Sequence, residues 1–146
     1  MANSVLLASA LLCGAFHIWV LTVSQVNTST KAWTCAVIGG ILTSIWNHAS
    51  TSELAKWLDR CTIAVGVCLD VYILSSATPN QMSRESVLAL GGCCTTLLAA
   101  LGLYFTAKSF EHTCWKRRDA CHVGAHVLAT ILHACMATLL VVPVAE

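Results

Sequence analysis

The feature that most constrains this chain is the recurrence of apolar stretches about as long as a bilayer is thick. Crossing a hydrocarbon core of about 30 Å takes roughly 20 helical residues. Five stretches meet that need: about Ser4 to Val23, Ala32 to Ser50, about Leu58 to Ala77, about Val87 to Ala107, and Ala120 to Val144. They are continuously apolar and lack the two-residue alternation of a lipid-facing barrel strand. The expectation is an all-α integral membrane protein, a bundle of about five transmembrane helices, with residues 1–146 as a single transmembrane domain. Only 10% of the residues are charged, and the first charged side chain is Lys31. A soluble domain carries about 25%. A soluble fold of this size could not hide so much apolar surface, so that surface faces lipid.

The connections carry boundary chemistry. Ser50 stands three residues before Glu53, the spacing of a capping box, just ahead of the third span. Ala77-Thr78-Pro79-Asn80 reads as a turn, since proline disfavours helix in the residue before it. The substantial loop is Lys108 to Asp119, with Lys116-Arg117-Arg118 inside it. Gly39-Gly40 and Gly91-Gly92 fall within spans, where small residues let backbones approach. Trp33, Trp46, Trp57 and Trp115 lie near span ends, as interfacial aromatics do.

Five spans put the N-terminus, the 50–57 connection and the 108–119 loop on one face with Lys56, Arg60, Lys108, Lys116, Arg117 and Arg118. Lys31 and Arg84 fall on the other, so the positive-inside rule makes the first face cytoplasmic or its organellar equivalent. The Asn27-Thr28-Ser29 glycosylation triplet then lies opposite. No Lys or Arg precedes the first apolar run, which argues for a retained span over a cleaved signal peptide. Of nine cysteines, only Cys114 and Cys121 sit near the loop. On a cytoplasmic face they stay reduced, and a bridge between them needs the inverted topology.

Ionisable residues inside a membrane usually face a functional interior, because placing them in lipid is costly. Here they are His17, His48, Asp59, Asp70, His122, His126 and His133. His122 and His126 stand four apart, on one helix face a turn from each other, able to clamp one metal ion. Ser44 and His48 share a face in the same way, and Asp59 opens the next span eleven residues on. All reach the same membrane level, near the basic face. Three neutral imidazoles with one coordination position left for water make a catalytic Zn2+ site. Asp59 and Ser44 then orient the ligands or activate the water.

Ser44-x3-His48, Asp59 eleven residues later with Leu58 before it, and His122-x3-His126 in the last span resemble the CREST superfamily. That group includes alkaline ceramidases, adiponectin-receptor-like proteins and myomaker-like proteins. The resemblance implies zinc held by His48, His122 and His126, with Ser44 as an oxyanion or water-orienting group and Asp59 as proton acceptor or orienter. It covers two segments and not the whole chain. Family members usually have seven spans, so this would be a shortened form. The acidic N-terminal segment that binds calcium in alkaline ceramidases has no counterpart, since no Asp or Glu precedes Glu53. The last helix also carries His133 at a different interval from the family's further histidine.

Asp70 lies eleven residues past Asp59, and His133 eleven past His122. Eleven residues are about three turns, or roughly 16 Å deeper on the same faces. Asp70, His133 and His17 are therefore candidates either for a buried hydrogen-bonded layer that orients helices or for a proton path.

Three functions follow as expectations. The leading one is a zinc-dependent membrane hydrolase acting on a lipid-like amide or ester, with substrate arriving sideways from the bilayer and membrane lipids as its partners. The second is a non-catalytic subunit of a larger membrane complex, partnered by other subunits or a second copy, with a relict or structural metal site. The third is a proton-conducting or transport protein. No feature of the chain suits nucleic acid, and Lys116-Arg117-Arg118 serves most simply as a topology signal.

Overall fold

The computed structural model describes residues 3–23, 31–76 and 83–140. They form five helices and no strand: α1 (Ser4–Val23), α2 (Lys31–Ala49), α3 (Glu53–Ser76), α4 (Arg84–Ser109) and α5 (Trp115–Leu140). The 77–80 turn, the 27–29 triplet and the end of the last span lie outside the described residues.

Three helices are long and apolar enough to cross a membrane: Ser4–Thr22 of α1, all of α4, and Trp115–Ala137 of α5. That makes the chain a multi-pass membrane protein, but the count by length and composition is three, not five. The reason lies in side chains. α3 carries Glu53, Lys56, Asp59, Arg60 and Asp70, while α2 has 19 residues and ends on Asn47-His48-Ala49. Leu12, Trp19, Leu88, Leu98 and Phe105 stand exposed on α1 and α4, as expected of surfaces solvated by hydrocarbon.

Helix boundaries moved for identifiable reasons. Ser52, not Ser50, caps α3: its Oγ accepts from Ala55 N at 3.4 Å, so Ala55 rather than Glu53 occupies the third helical position and no capping box forms. Ser83 caps α4 by accepting from Ser86 N, which starts that helix at Arg84. α5 starts at Trp115, ahead of the expected 120, so Lys116-Arg117-Arg118 forms its first turn and is not loop. No disulfide forms among the described residues.

Long-range partners give the helix directions. Asn3 pairs with Asp119, Ser9 with His126 and His17 with His133, a nearly constant offset that sets α1 parallel to α5. Asn47–Asp59, Thr43–Thr62 and Trp33–Asp70 set α2 antiparallel to α3. α4 packs along α5, α5 along α1, α1 along α2 and α2 along α3, whereas α3 and α4 barely touch. The ring of helices is thus open between α3 and α4.

Close approach uses other glycines than the two pairs expected. A Cβ on Gly39, Gly40, Gly91 or Gly92 would meet nothing within 4 Å. On Gly14 it would come 2.7 Å from Ile41 Cγ2, and on Gly124 2.8 Å from Leu103 Cδ1. Gly14 therefore admits α2 to α1, and Gly124 admits α4 to α5. Trp33 is not interfacial either: only 2% exposed, it belongs to an apolar core with Val37, Leu74, Leu97, Leu132 and Met136. That core fills the half of the bundle remote from the basic residues, where Trp33 also meets Asp70 and His133.

Candidate metal centre

α5 begins at the basic end, so His122 and His126 face inward about two and three turns inside it. α2 ends there, and its last turn turns His48 toward them. Ligand atoms of His48, His122 and His126 lie within 4.8 Å of one another. The rings stand edge to face, with centroids 5.1 Å apart for His48–His122, 5.5 Å for His48–His126 and 4.9 Å for His122–His126.

Hydrogen bonding sets how the rings present their nitrogens. Ser9 Oγ donates to Leu6 O at 2.9 Å, so toward His126 Nδ1, 2.8 Å away, it acts as acceptor. The His126 proton then sits on Nδ1, and the Nε2 lone pair faces Ser44 Oγ at 3.4 Å. His48 Nε2 is buried without a hydrogen-bond partner among the described residues. Leaving such a nitrogen unpaired in the interior costs about 1–3 kcal/mol, so its position favours an electrophile. Three neutral imidazoles would be a donor set that suits a divalent ion with one coordination position left open.

Asp59 is buried, yet it stays outside the group of converging ligand atoms. Asn47 Nδ2 donates to its Oδ2 at 2.7 Å, and Oδ1 has no partner among the described residues. Asp59 instead lines a depression at the basic end together with His48, His122 and Tyr104.

Sequence reasoning overlooked Asn3, Ser9, Tyr104 and Asp119. Asn3 Oδ1 accepts from Val5 N and Leu6 N, each at 3.2 Å, as an N-cap. Its backbone N–H donates to His48 O at 3.2 Å and its Nδ2 to Asp119 Oδ2 at 3.0 Å. The start of α1 thereby ties the end of α2 to the start of α5 at the depth of the histidines. Arg118 holds the other oxygen of Asp119 at 2.7 Å. An Asn just before an apolar run is a readable capping signal. Ser9, one small residue in an apolar helix, announces nothing.

Beneath the histidines lies a cavity of about 180 Å3. His122, His126, Ser44 and Tyr104 line one part of it, and His17, Asp70 and His133 another, with small and aliphatic side chains between. Thr62, Gly66 and Val67 of α3 face Leu97 and Leu101 of α4 across it, where the ring of helices is open. No family model, curated protein or solved structure matches the chain.

Proposed function

We propose that the protein is a membrane-embedded hydrolase, zinc-dependent, that cleaves a lipid-like amide or ester. One observation carries the reading. Three imidazoles from α2 and α5, 74 residues apart in sequence at His48 and His122, converge, and two of them, His122 and His126, line a largely apolar cavity. Zinc held by His48, His122 and His126 would polarise a substrate carbonyl and acidify water toward a pKa of about 7. The likeness of Ser44, His48, Asp59, His122 and His126 to the CREST pattern points to the same chemistry.

The chain's own residues supply the rest. Ser44 Oγ, one hydrogen bond from His126 Nε2, is placed to donate to a developing oxyanion. Asp59 accepts a proton through Oδ1 while Asn47 holds Oδ2. Ser9 and Asn3 position His126 and His48. An acyl chain reaches the cavity between α3 and α4, directly from lipid. In this reading α2 and α3 cross the bilayer beside the other three helices, their polar side chains turned to the bundle interior. The end bearing Lys56, Arg60, Lys108 and Lys116-Arg117-Arg118 is then cytoplasmic or its organellar equivalent.

Metal analysis of the purified full chain tests the reading, beside a His122→Ala/His126→Ala double variant. About one zinc per chain in the wild type and none in the variant, with turnover of a fluorescent fatty amide or ester, is the expected result. No zinc in a well-folded wild type would leave a non-catalytic membrane subunit as the better account.

A further inference from the structure

Deeper in the bundle runs a second polar chain, whose hydrogen bonds permit a count of protons. Trp33 Nε1 donates to Asp70 Oδ1 at 2.8 Å. Asp70 Oδ2 lies 3.3 Å from His133 Nε2, and His133 Nδ1 lies 2.9 Å from His17 Nε2. His17 Nδ1 ends the chain 2.8 Å from the carbonyl oxygen of Cys13.

The Cys13 carbonyl only accepts, so His17 Nδ1 carries a proton. Each of the two remaining gaps, His17–His133 and His133–Asp70, holds one more. The chain therefore needs three protons on Asp70, His133 and His17. An ionised carboxylate with two neutral imidazoles supplies two. The third makes the cluster neutral overall, which suits a site where an unbalanced charge is expensive. Three arrangements satisfy every contact: the proton resides on Asp70, on His133, or on His17. They interconvert by transfers within hydrogen bonds. As Asp70 Oδ2–H passes its proton to His133 Nε2, His133 Nδ1–H passes its own to His17 Nε2, leaving a carboxylate and an imidazolium.

We propose that Asp70, His133 and His17 form a proton-binding site that stores one exchangeable proton and offers it to the same cavity that His122 and His126 line. All three groups line that cavity, and the proposal does not depend on the hydrolase reading. Among the described residues the site is a blind store and not a transmembrane path. From Asp119 through His122, His126 and Thr130 to His133, α5 carries a polar column over about 21 Å, counted at 1.5 Å per residue. Past His133 on α5, Met136 and Ala137 pack with Trp33, Leu74 and Leu97 in the apolar core. The titratable groups facing the store are Cys93 of α4 near Asp70, with Cys135 of α5 beside Cys93, and His126 of α5 near His17. Thr130 Oγ1, 3.3 Å from His17 Nδ1, donates to the His126 carbonyl and completes the His17 side.

Asp70→Asn separates storage from architecture. The amide oxygen accepts from Trp33 and the amide nitrogen donates to His133 Nε2. Both rings then stay neutral with their protons on Nδ1, every hydrogen bond is kept, and no spare proton remains. Nuclear magnetic resonance of isotope-labelled histidine nitrogens and aspartate carboxyl carbons, on the full chain in phosphatidylcholine nanodiscs, counts the protons directly. The expected total near neutral pH is three in the wild type, with both rings locked as Nδ1–H in Asp70→Asn. A wild-type count of two, an ionised Asp70 beside two neutral rings, overturns the proposal, as does a count of four. In phosphatidylcholine vesicles with a trapped pH dye, an acid pulse is expected to decay at the rate of protein-free vesicles. Faster decay that Asp70→Asn abolishes would overturn the blind store in favour of a conducting path.

Discussion

Replacing Ser9 with Ala removes the acceptor for the His126 Nδ1 proton and leaves the three imidazoles themselves unchanged. Ser9 is 9% exposed, and water has little access to take its place. Two consequences differ in size. Hydrogen bonds between membrane helices contribute about 0.6 kcal/mol on average, so the metal-free bundle is expected to lose no more than about 1 kcal/mol. Metal affinity is expected to fall more. Partners that fix the tautomer and orientation of a ligating histidine are worth about 10–100-fold in metal affinity. That factor corresponds to about 1.4–2.7 kcal/mol. Without Ser9, the His126 proton is no longer held on Nδ1 and is free to occupy Nε2, the nitrogen that the tautomer argument leaves to bind the proposed metal. Zinc competition against a chromophoric chelator in detergent reads the affinity, and thermal unfolding of the metal-free protein reads the stability. Ser9→Ala within about twofold of wild-type affinity, in a protein where His126→Ala abolishes binding, would refute the tautomer argument.

Asp59→Ala is expected to lower turnover of a lipid amide or ester by about 10^2- to 10^4-fold, the range for a lost acid–base group, with zinc content unchanged; loss of zinc alongside activity would instead make Asp59 a ligand. Gly14→Ala drives a Cβ to 2.7 Å from Ile41 Cγ2. Overpacking of this kind costs about 1–3 kcal/mol, and thermal unfolding is expected to show it while Gly39→Ala, with open space around it, shows nothing comparable. Trp33→Phe leaves Asp70 Oδ1 without its donor, at about 1–3 kcal/mol. The same change at Trp46, which is 43% exposed, is expected to be near neutral, and equal effects at the two positions would contradict the placement of Trp33 in the core.

Much of the site was legible because helices are periodic. His122 and His126, like Ser44 and His48, share a face whatever surrounds them, and the eleven-residue steps to Asp70 and His133 carry the same faces about three turns deeper. Expecting Asp70, His133 and His17 to meet needed only that periodicity and helices of alternating direction, and they do meet. The span count was less secure, because each apolar stretch was weighed without its polar interruptions. α3 tolerates Asp59 and Asp70 by turning both into the bundle, which lowers its mean apolarity without removing it from the packing.

Nothing in the amino-acid order distinguished the glycine pairs of α2 and α4 from Gly14 and Gly124. Closeness depends on which helix faces which, and that is decided across the bundle. Trp33 was misplaced for the same reason: position near a helix end says how far along the axis a residue sits, not whether it points to lipid or inward. Helical type, the apolar lengths, the faces and the depth of each ionisable group were all readable from spacing within one helix. Only the tertiary structure decided that Ser9 sets the tautomer of His126, that Asn3 ties three helix ends together, and that Trp33 and the Cys13 carbonyl close the chain through Asp70. Those hydrogen bonds join different helices or depend on the exact rotation of one, and lipid offers their polar groups no alternative partner.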